Sequence, residues 1–346
     1  RELSFESLKM IIEEAGKFAS DELDTINQKG DQEGIKLENG VVRMPESFIK
    51  AYKRFVNTGW FSIIGEKKYG GQDLPLSAVV MINEIWHSTN MSFATNNMLT
   101  QGAVELLESH GNEKQKEYYL PNLISGKWSG TMNLTEPHAG SDLSSIKTKA
   151  IEKDKKFLIK GTKIYITHGD QDMSDNIIHL VLAKLPNAPD GVKGISLFLV
   201  PKYFLNNQGT KVKNDIKVVS VEHKLGHHAS PTCVLSFGEN EGAVGELVGE
   251  PNQGLKAMFT MMNNARLNVG VQGLAISERA YQKALSFSKE RIQGYSLNKN
   301  VTGPVEIIKH PDVKRMLMEM KSQTEAMRGL AITTGNFIDK LSLIHI

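Results

Sequence analysis

The chain has 346 residues, with 41 Lys plus Arg against 39 Asp plus Glu and a net charge of +2, so no global field draws it to nucleic acid or an anionic membrane. That length calls for two or three domains and is ample to bury a large cofactor. The single cysteine, Cys233, excludes an internal disulfide and fits a reducing compartment, and no apolar run approaches the roughly 18 residues of a membrane span.

Residues 1–127 carry a helical period, with Leu8, Ile11, Ile12 and Ala15 at steps of three and four, and predict an N-terminal helical domain. Within it Gly111 closes one helix and Asn112 caps the next, with Gln115 three residues on as in a capping box. From Trp128 to Gly249 the pattern becomes short β-rich runs: KFLIKG (156–161), KIYITHG (163–169), IIHLVLAKL (177–185), GISLFLVP (194–201) and TCVLSFG (232–238). No helix of crossover length intervenes, so the middle domain, 128–249, is expected to pair antiparallel. From Gln253 the helical period returns, and Leu255, Met258, Phe259, Met262 and Val269 form an expected inward stripe in which the methionines fill gaps in a core. GYSLNKNVTGP (294–304) reads as a connection to a last helix that starts near Pro311 and runs towards Leu341. Residues 250–340 are therefore the start of an incomplete C-terminal helical bundle. The final LSLIHI, 341–346, equals the translation of the end of a common transposon sequencing adapter and is read as an adapter-derived tail, against the alternative of a helix ending in those residues.

No G-x-G-x-x-G and no P-loop occurs, which removes the usual nucleotide cradles. His223 and His227 have the spacing of two zinc ligands, but Gly226 interrupts them and a solvated loop is the simpler reading; no metal is expected. Ser141 lies outside any nucleophile elbow. Cys233, between Thr232 and Val234, reads as a buried, inert thiol. Two stretches remain. In LTEPHAGSD (134–142) a strand ends in a Pro and Gly turn that presents backbone N–H groups with the hydroxyls of Thr135 and Ser141, a setting for carbonyl or phosphate oxygens. In IYITHG a strand end offers the ring of Tyr165 to a flat ligand and Thr167 to its heteroatoms. An ordinary turn is the alternative for both.

Taken together these stretches resemble the acyl-CoA dehydrogenases. The likeness rests on EKKYGGQDLP (66–75), HGNEKQKEYYLPNLISGKWSGTMNLTEPHAGSDLSSIKTKA (110–150), GTKIYITHG (161–169) and NNARLNVGVQGLA (263–275), in family order. THGDQDMSDNIIHLVLAKLPNAPDGVKGISLFLVPK, NARLNVG and ERIQG resemble the branch associated with 3-methylmercaptopropionyl-CoA. The resemblance implies an α+β multidomain fold: an N-terminal helical domain, a middle antiparallel β-barrel and a C-terminal helical bundle. It implies non-covalent FAD and an acyl-CoA substrate, oxidised to its trans-2-enoyl form. Met132, Leu134, Thr135 and Ser141 would line the flavin and the neighbouring acyl-CoA; Tyr165, Ile166 and Thr167 would flank the isoalloxazine ring. Asn263 and Arg266 would meet the substrate, Arg266 near the pantetheine and phosphates. Arg291 and Gln293 would reach the FAD pyrophosphate of a neighbouring subunit, implying a homodimer or homotetramer.

Two departures stand out: Tyr165 where the family commonly has tryptophan, and His138 where it has glycine. The family's usual base, a glutamate in a YEGT-like loop, is expected beyond the chain end, so no catalytic residue is assigned here. The chain alone is expected to bind FAD weakly at best and not to reduce it with acyl-CoA. An electron-transfer flavoprotein is the implied acceptor. An oxidase that uses oxygen and a non-catalytic relative are the alternatives. The implied location is bacterial cytoplasm, or the mitochondrial matrix of a eukaryote.

Overall fold

A computed structural model describes residues 3–344 apart from 207 and 299; His345 and Ile346 of the expected tail, and one residue of the 294–304 connection, lie outside the described residues. In chain order come α1 (Phe5–Phe18), a π-helical turn, α2 (Thr25–Glu33), the hairpin β1 (Lys36–Glu38) and β2 (Val41–Arg43), α3 (Glu46–Asn57), α4 (Leu76–Thr89), α5 (Met91–His110) and α6 (Glu113–Ile124). The middle of the chain forms β3 (Trp128–Asn133), β4 (Lys149–Lys153), β5 (Lys156–Thr167), β6 (Asn176–Lys184), β7 (Ile195–Pro201), β8 (Tyr203–Leu205), β9 (Lys211–Lys213), β10 (Ile216–Val221), β11 (Thr232–Phe237) and β12 (Ala243–Val248). Then follow α7 (Gly254–Glu290), the hairpin β13 (Ile292–Tyr295) and β14 (Pro304–Glu306), which replaces part of the expected plain connection, and α8 (Pro311–Ile344). The capping box before α6 forms as the sequence predicts: Gln115 N–H donates to Asn112 Oδ1 at 3.0 Å, and Asn112 N–H donates to Gln115 Oε1 at 3.1 Å.

Contacts divide the chain into two compact units, one holding Asp21–Leu74 and Ser92–Arg266, the other built from the segment ending at Ser20, Pro75–Met91 and the chain from Leu267 on. In the first, β5, β12, β7, β6 and β4 close a ring, with β3 beside β6 and the β10–β11 pair continuing from the second half of β5. The expectation of an antiparallel barrel is corrected. Strands β3 and β6 run parallel from Trp128 opposite Asn176 to Asn133 opposite Val181, and β4 meets β6 parallel at Lys149 and Lys184. Lack of a helical crossover excludes only βαβ units; here the β4–β5 hairpin itself carries the chain back.

The apolar runs of β6 and β7 follow from burial on both faces. Ile178, Leu180 and Leu182 of β6, with Leu197 and Leu199 of β7, enter a core shared with α5 and α6, while Val181, Ala183, Phe198 and Val200 enter the barrel interior. Alternation is present, but each face has its own core. Two glycines set the geometry. A Cβ on Gly130 of β3 would lie 2.4 Å from the Cβ of Ala103, so α5 lies directly on the strand, and Thr100 Oγ1 accepts the Gly130 N–H. At Gly161 a Cβ would lie 2.3 Å from Thr148 Oγ1, and there β5 passes from pairing with β4 and β12 to pairing with β11. KFLIKG and KIYITHG, two runs in the sequence, thus belong to one strand.

In the second unit α4 packs on α8. Helix α4 has no side-chain cap of its own, and Asp339 of α8 supplies one, accepting from Leu76 N at 2.7 Å and Ser77 N at 3.0 Å. The expected stripe on α7 is only partly inward. Met258 is buried, but Phe259 and Val269 are 38% and 55% exposed, and the buried line runs through Ala257, Met258 and Met261, then Val271, Leu274 and Ala275. Met258 and Val269 lie within about 20° of each other around the axis, so the buried side of the helix changes between Met261 and Val271, and Phe259 lies beneath the Arg266 guanidinium.

Candidate functional site

Strand β3 ends at Asn133, and the chain turns at once. Glu136 N–H donates to Ala139 O at 2.8 Å and Ala139 N–H returns to Glu136 O at 3.1 Å, closing a tight loop over Pro137 and His138. Beyond it the Asp142 carboxylate accepts from Ser144 N–H and Oγ–H, both at 2.8 Å, which holds its pKa below the ordinary value. His138 places Nε2 3.0 Å from Ser145 O and 3.6 Å from the Glu136 carboxylate, so the added bulk folds back onto the turn.

The turn is tied to β5. Ile164 N–H donates to Thr135 O at 2.9 Å. Lys163, with its side chain wholly buried, donates to Leu134 O at 2.8 Å and to Glu136 Oε1 at 2.9 Å. Glu136 also accepts from Lys147 N, Thr148 N and Thr148 Oγ1. Burial opposes charge on both partners. For Glu136 the Lys163 charge and these donors outweigh it, and the carboxyl is held below its ordinary pKa. For Lys163, deeper and with two acceptors, burial prevails over Glu136 and draws the ammonium down to about 8.

Just beyond, β5 ends in a strained backbone. Tyr165 and His168 take φ of 58° and 50°, left-handed values that cost a non-glycine residue about 1–3 kcal/mol. Fixed bonds hold them: His168 N–H to Pro231 O at 2.7 Å, and Gly169 N–H to Ile166 O at 3.1 Å. His168 is fully buried, with Nε2 3.3 Å from both Ser92 O and Ser230 Oγ, and burial pushes its pKa down to about 4, so the ring is neutral. Beside Ile166, across the ladder, Cys233 is buried and its thiol is pushed up to about 12 by burial, an unreactive state. The strained turn directs Tyr165 outward, 60% exposed, while Ile166 points in.

The two strand ends meet in one shallow pocket of about 130 Å³, lined by Leu99, Met132, Leu134, Thr135, Tyr165, Ile166 and Thr167. Five of these come from the two stretches singled out in the sequence, and Met132 lies just before the first. No lining side chain is charged, which makes the pocket a poor seat for a phosphate. An exposed aromatic face, aliphatic neighbours and two hydroxyls suit a flat heteroaromatic ring.

The other expected site residues lie elsewhere. Ser141 is exposed in the turn and is not among the pocket's lining. Arg266 and Asn263 share a face of α7, joined by a 2.8 Å hydrogen bond from Nη1 to Oδ1, with the guanidinium 5.2 Å from the centre of the Phe259 ring. Arg291 and Gln293 belong to the second unit; both are exposed, with Arg291 Nη2 donating to Gln293 Oε1 at 3.3 Å. Sequence reasoning missed Leu99 and Lys163. The only signal for Lys163 was a lysine inside an otherwise apolar KIYIT run, and Leu99 sits in a helix buried on nearly all sides. Among the described residues no helix is long and apolar enough to cross a membrane.

Three domain models of one family match the chain in succession: acyl-CoA dehydrogenase N-terminal domain over residues 6–127, middle domain over 131–239 and C-terminal domain over 252–341. Over 98% of its length the chain is 47% identical to 3-methylmercaptopropionyl-CoA dehydrogenase of Ruegeria pomeroyi, covering 57% of that protein. Over 93% of its length it is 38% identical to a butyryl-CoA dehydrogenase of Syntrophomonas wolfei, covering 55%. It therefore spans little more than half the length of these relatives. An acyl-CoA dehydrogenase complexed with FAD from Bacillus anthracis shares the fold, with a TM-score of 0.79 at 23% identity over 98% of this chain and 53% of that one. With three domains matched in order along its length, the chain belongs to the acyl-CoA dehydrogenase family.

Proposed function

We propose that this chain supplies the FAD and acyl-CoA binding wall of an enzyme that converts a saturated acyl-CoA thioester to trans-2-enoyl-CoA. The observation that carries the reading is the convergence of Met132, Leu134 and Thr135 with Tyr165, Ile166 and Thr167 on one uncharged pocket. Bound FAD would accept hydride from the substrate β-carbon. The chain's own residues position and shield. Tyr165 offers its face to the ring, Thr135 and Thr167 offer hydroxyls to its heteroatoms, and Leu99, Met132 and Leu134 keep water from the reacting carbons. Ser141 and Asn263 meet the substrate, and the Arg266 guanidinium, free of any carboxylate partner among the described residues, suits the phosphates of coenzyme A. Arg291 and Gln293 would serve the FAD pyrophosphate of a neighbouring subunit in a homodimer or homotetramer.

Glu136 is not the base. Removing an α-proton needs a carboxylate of raised pKa with free lone pairs, whereas Glu136 is held ionised and occupied by Lys147, Thr148 and Lys163. The identity to the Ruegeria enzyme and the shared motifs make 3-methylmercaptopropionyl-CoA the first substrate to try, ahead of butyryl-CoA. An electron-transfer flavoprotein is the proposed acceptor.

The test is anaerobic titration of the intact, flavin-loaded protein with each thioester. Bleaching of the flavin, followed by reoxidation with an electron-transfer flavoprotein, supports the reading. Rapid oxygen uptake would make the protein an oxidase, and failure to retain FAD would sink both.

A further inference from the structure

We propose that the buried Lys163–Glu136 ion pair is a positioning device for the pocket, fixing the turn that carries Leu134 and Thr135 against the strand that carries Tyr165 and Thr167. The identity of the ring it serves rests on the reading above. Lys163 and Glu136 have side chains 0% and 2% exposed and meet at 2.9 Å. Neither lines the pocket, so both act through neighbours. Three links join consecutive residues of the two segments: Lys163 Nζ to Leu134 O, Ile164 N–H to Thr135 O, and Lys163 Nζ to Glu136 Oε1. On each side the pocket residues begin within two positions of a link.

Stability alone gives little reason for this arrangement. A buried pair is commonly no more stable than apolar residues of the same volume, because desolvation offsets attraction. What a charge pair adds is direction. The Nζ must face both the Leu134 carbonyl and the carboxylate, and the carboxylate must also face Lys147 N, Thr148 N and Thr148 Oγ1. An apolar replacement would fill the space while leaving the Leu134 carbonyl free to rotate.

The test compares wild type, Glu136→Gln, Lys163→Met and the double variant in the intact apoprotein, reading amide hydrogen exchange at 134–140, thermal midpoint and equilibrium FAD affinity. Lys163→Met is expected to speed exchange at 134–140 and weaken FAD by about 10- to 100-fold, the loss of a charge-assisted bond. The double variant, with no buried charge, is expected to recover the thermal midpoint but keep fast exchange and weak FAD, while amides of β6 and β7 remain as in wild type. Wild-type exchange at 134–140 in the double variant, with FAD affinity within about twofold of wild type, would overturn the proposal. Should either lysine variant fail to fold, Glu136→Gln decides, with the same ordering at smaller amplitude. If wild-type apoprotein takes up no FAD, the functional reading falls, and the exchange pattern still decides the role of the pair.

Discussion

Each compact unit contains a cluster of paired charges, and the two clusters meet water in opposite ways. In the unit that carries the pocket, one lysine meets one glutamate with both side chains out of water. In the other, Arg328 of α8, 24% exposed, forks between Glu84 of α4 at 2.7 Å, Glu278 of α7 at 2.6 Å and Glu325 one turn before it at 3.0 Å. Arg328 is bound by its carboxylates so that its pKa rises above the ordinary guanidinium value. In the dry pair the Lys163 ammonium meets a single carboxylate, and Glu136 without it keeps only its hydrogen bonds from Lys147 and Thr148 and the His138 ring at 3.6 Å. The wet fork has several partners, and solvent can replace any of them. One arrangement fixes a geometry; the other joins three helices while tolerating small shifts.

The sharpest way to break this contrast is to remove one member of the dry pair. Lys163→Met strands the Glu136 carboxylate in the interior and should cost about 3–5 kcal/mol, read as a fall in the urea midpoint at constant slope. A loss below about 1 kcal/mol would mean that water enters beside Glu136 and that the two centres are alike after all.

Acid tests the same dryness without mutation. His168 and His179 are fully buried, His179 with Nδ1 2.7 Å from Thr131 Oγ1, and burial pushes their pKa values from 6.5 down to about 4 and about 3. An unfolded chain takes protons on both below about pH 6.5, while the folded chain does not, so stability falls as pH falls. Each histidine costs about 1.4 kcal/mol per pH unit until its folded pKa is reached. Between about pH 7.5 and about pH 5.5 the two histidines should together cost roughly 2–3 kcal/mol, while Glu108, which burial pushes up to about 7, takes up a proton in the folded chain and offsets part of that loss. By urea unfolding, the His168→Asn, His179→Gln double variant should therefore be less sensitive to acid than wild type by roughly those 2–3 kcal/mol. An unchanged sensitivity would place its cause elsewhere.

How much of this was legible in the sequence depended on the distance between partners. The capping box at Asn112 and Gln115 spans three residues and was readable outright. The apolar runs of β6 and β7 were readable as strands, but two-sided burial hides which neighbour each takes, so the parallel β3–β6 pairing was not. The short polar strand KAIEK of β4, with four of its five residues exposed, carries no alternation at all. Lys163 was not legible, because its partner Glu136 lies on another segment and only the folded turn brings them together. All of the lining residues but Leu99 were legible through family likeness, and their convergence shows only in the fold.

In the wet centre the expected losses are smaller and depend on salt. Arg328→Ala should cost about 1–2 kcal/mol at low ionic strength, and the difference should shrink in about 1 M salt, where the Debye length is near 3 Å. The Lys163→Met loss should not shrink, since ions cannot screen a pair they cannot approach. Equal salt dependence in the two variants would remove the distinction between the units.

The smallest effect belongs to a site of neither kind. Asn112 and Gln115 exchange two backbone bonds at the start of α6, and the neighbouring donors of that first turn remain open to water. Asn112→Ala should therefore cost about 1 kcal/mol, the usual loss of an N-cap, with no salt dependence and no pH dependence between about 5 and 8, since neither side chain titrates. Asn112→Asp should restore most of it, because a carboxylate accepts the same N–H and faces the positive end of the helix. Gln115 complicates the prediction in a useful way: its amide also donates to Leu247 O at 2.9 Å on β12. If Asn112→Ala costs well above about 2 kcal/mol, the cap is holding Gln115 for that second bond, and the junction before α6 is then part of the barrel's packing as well as a helix end.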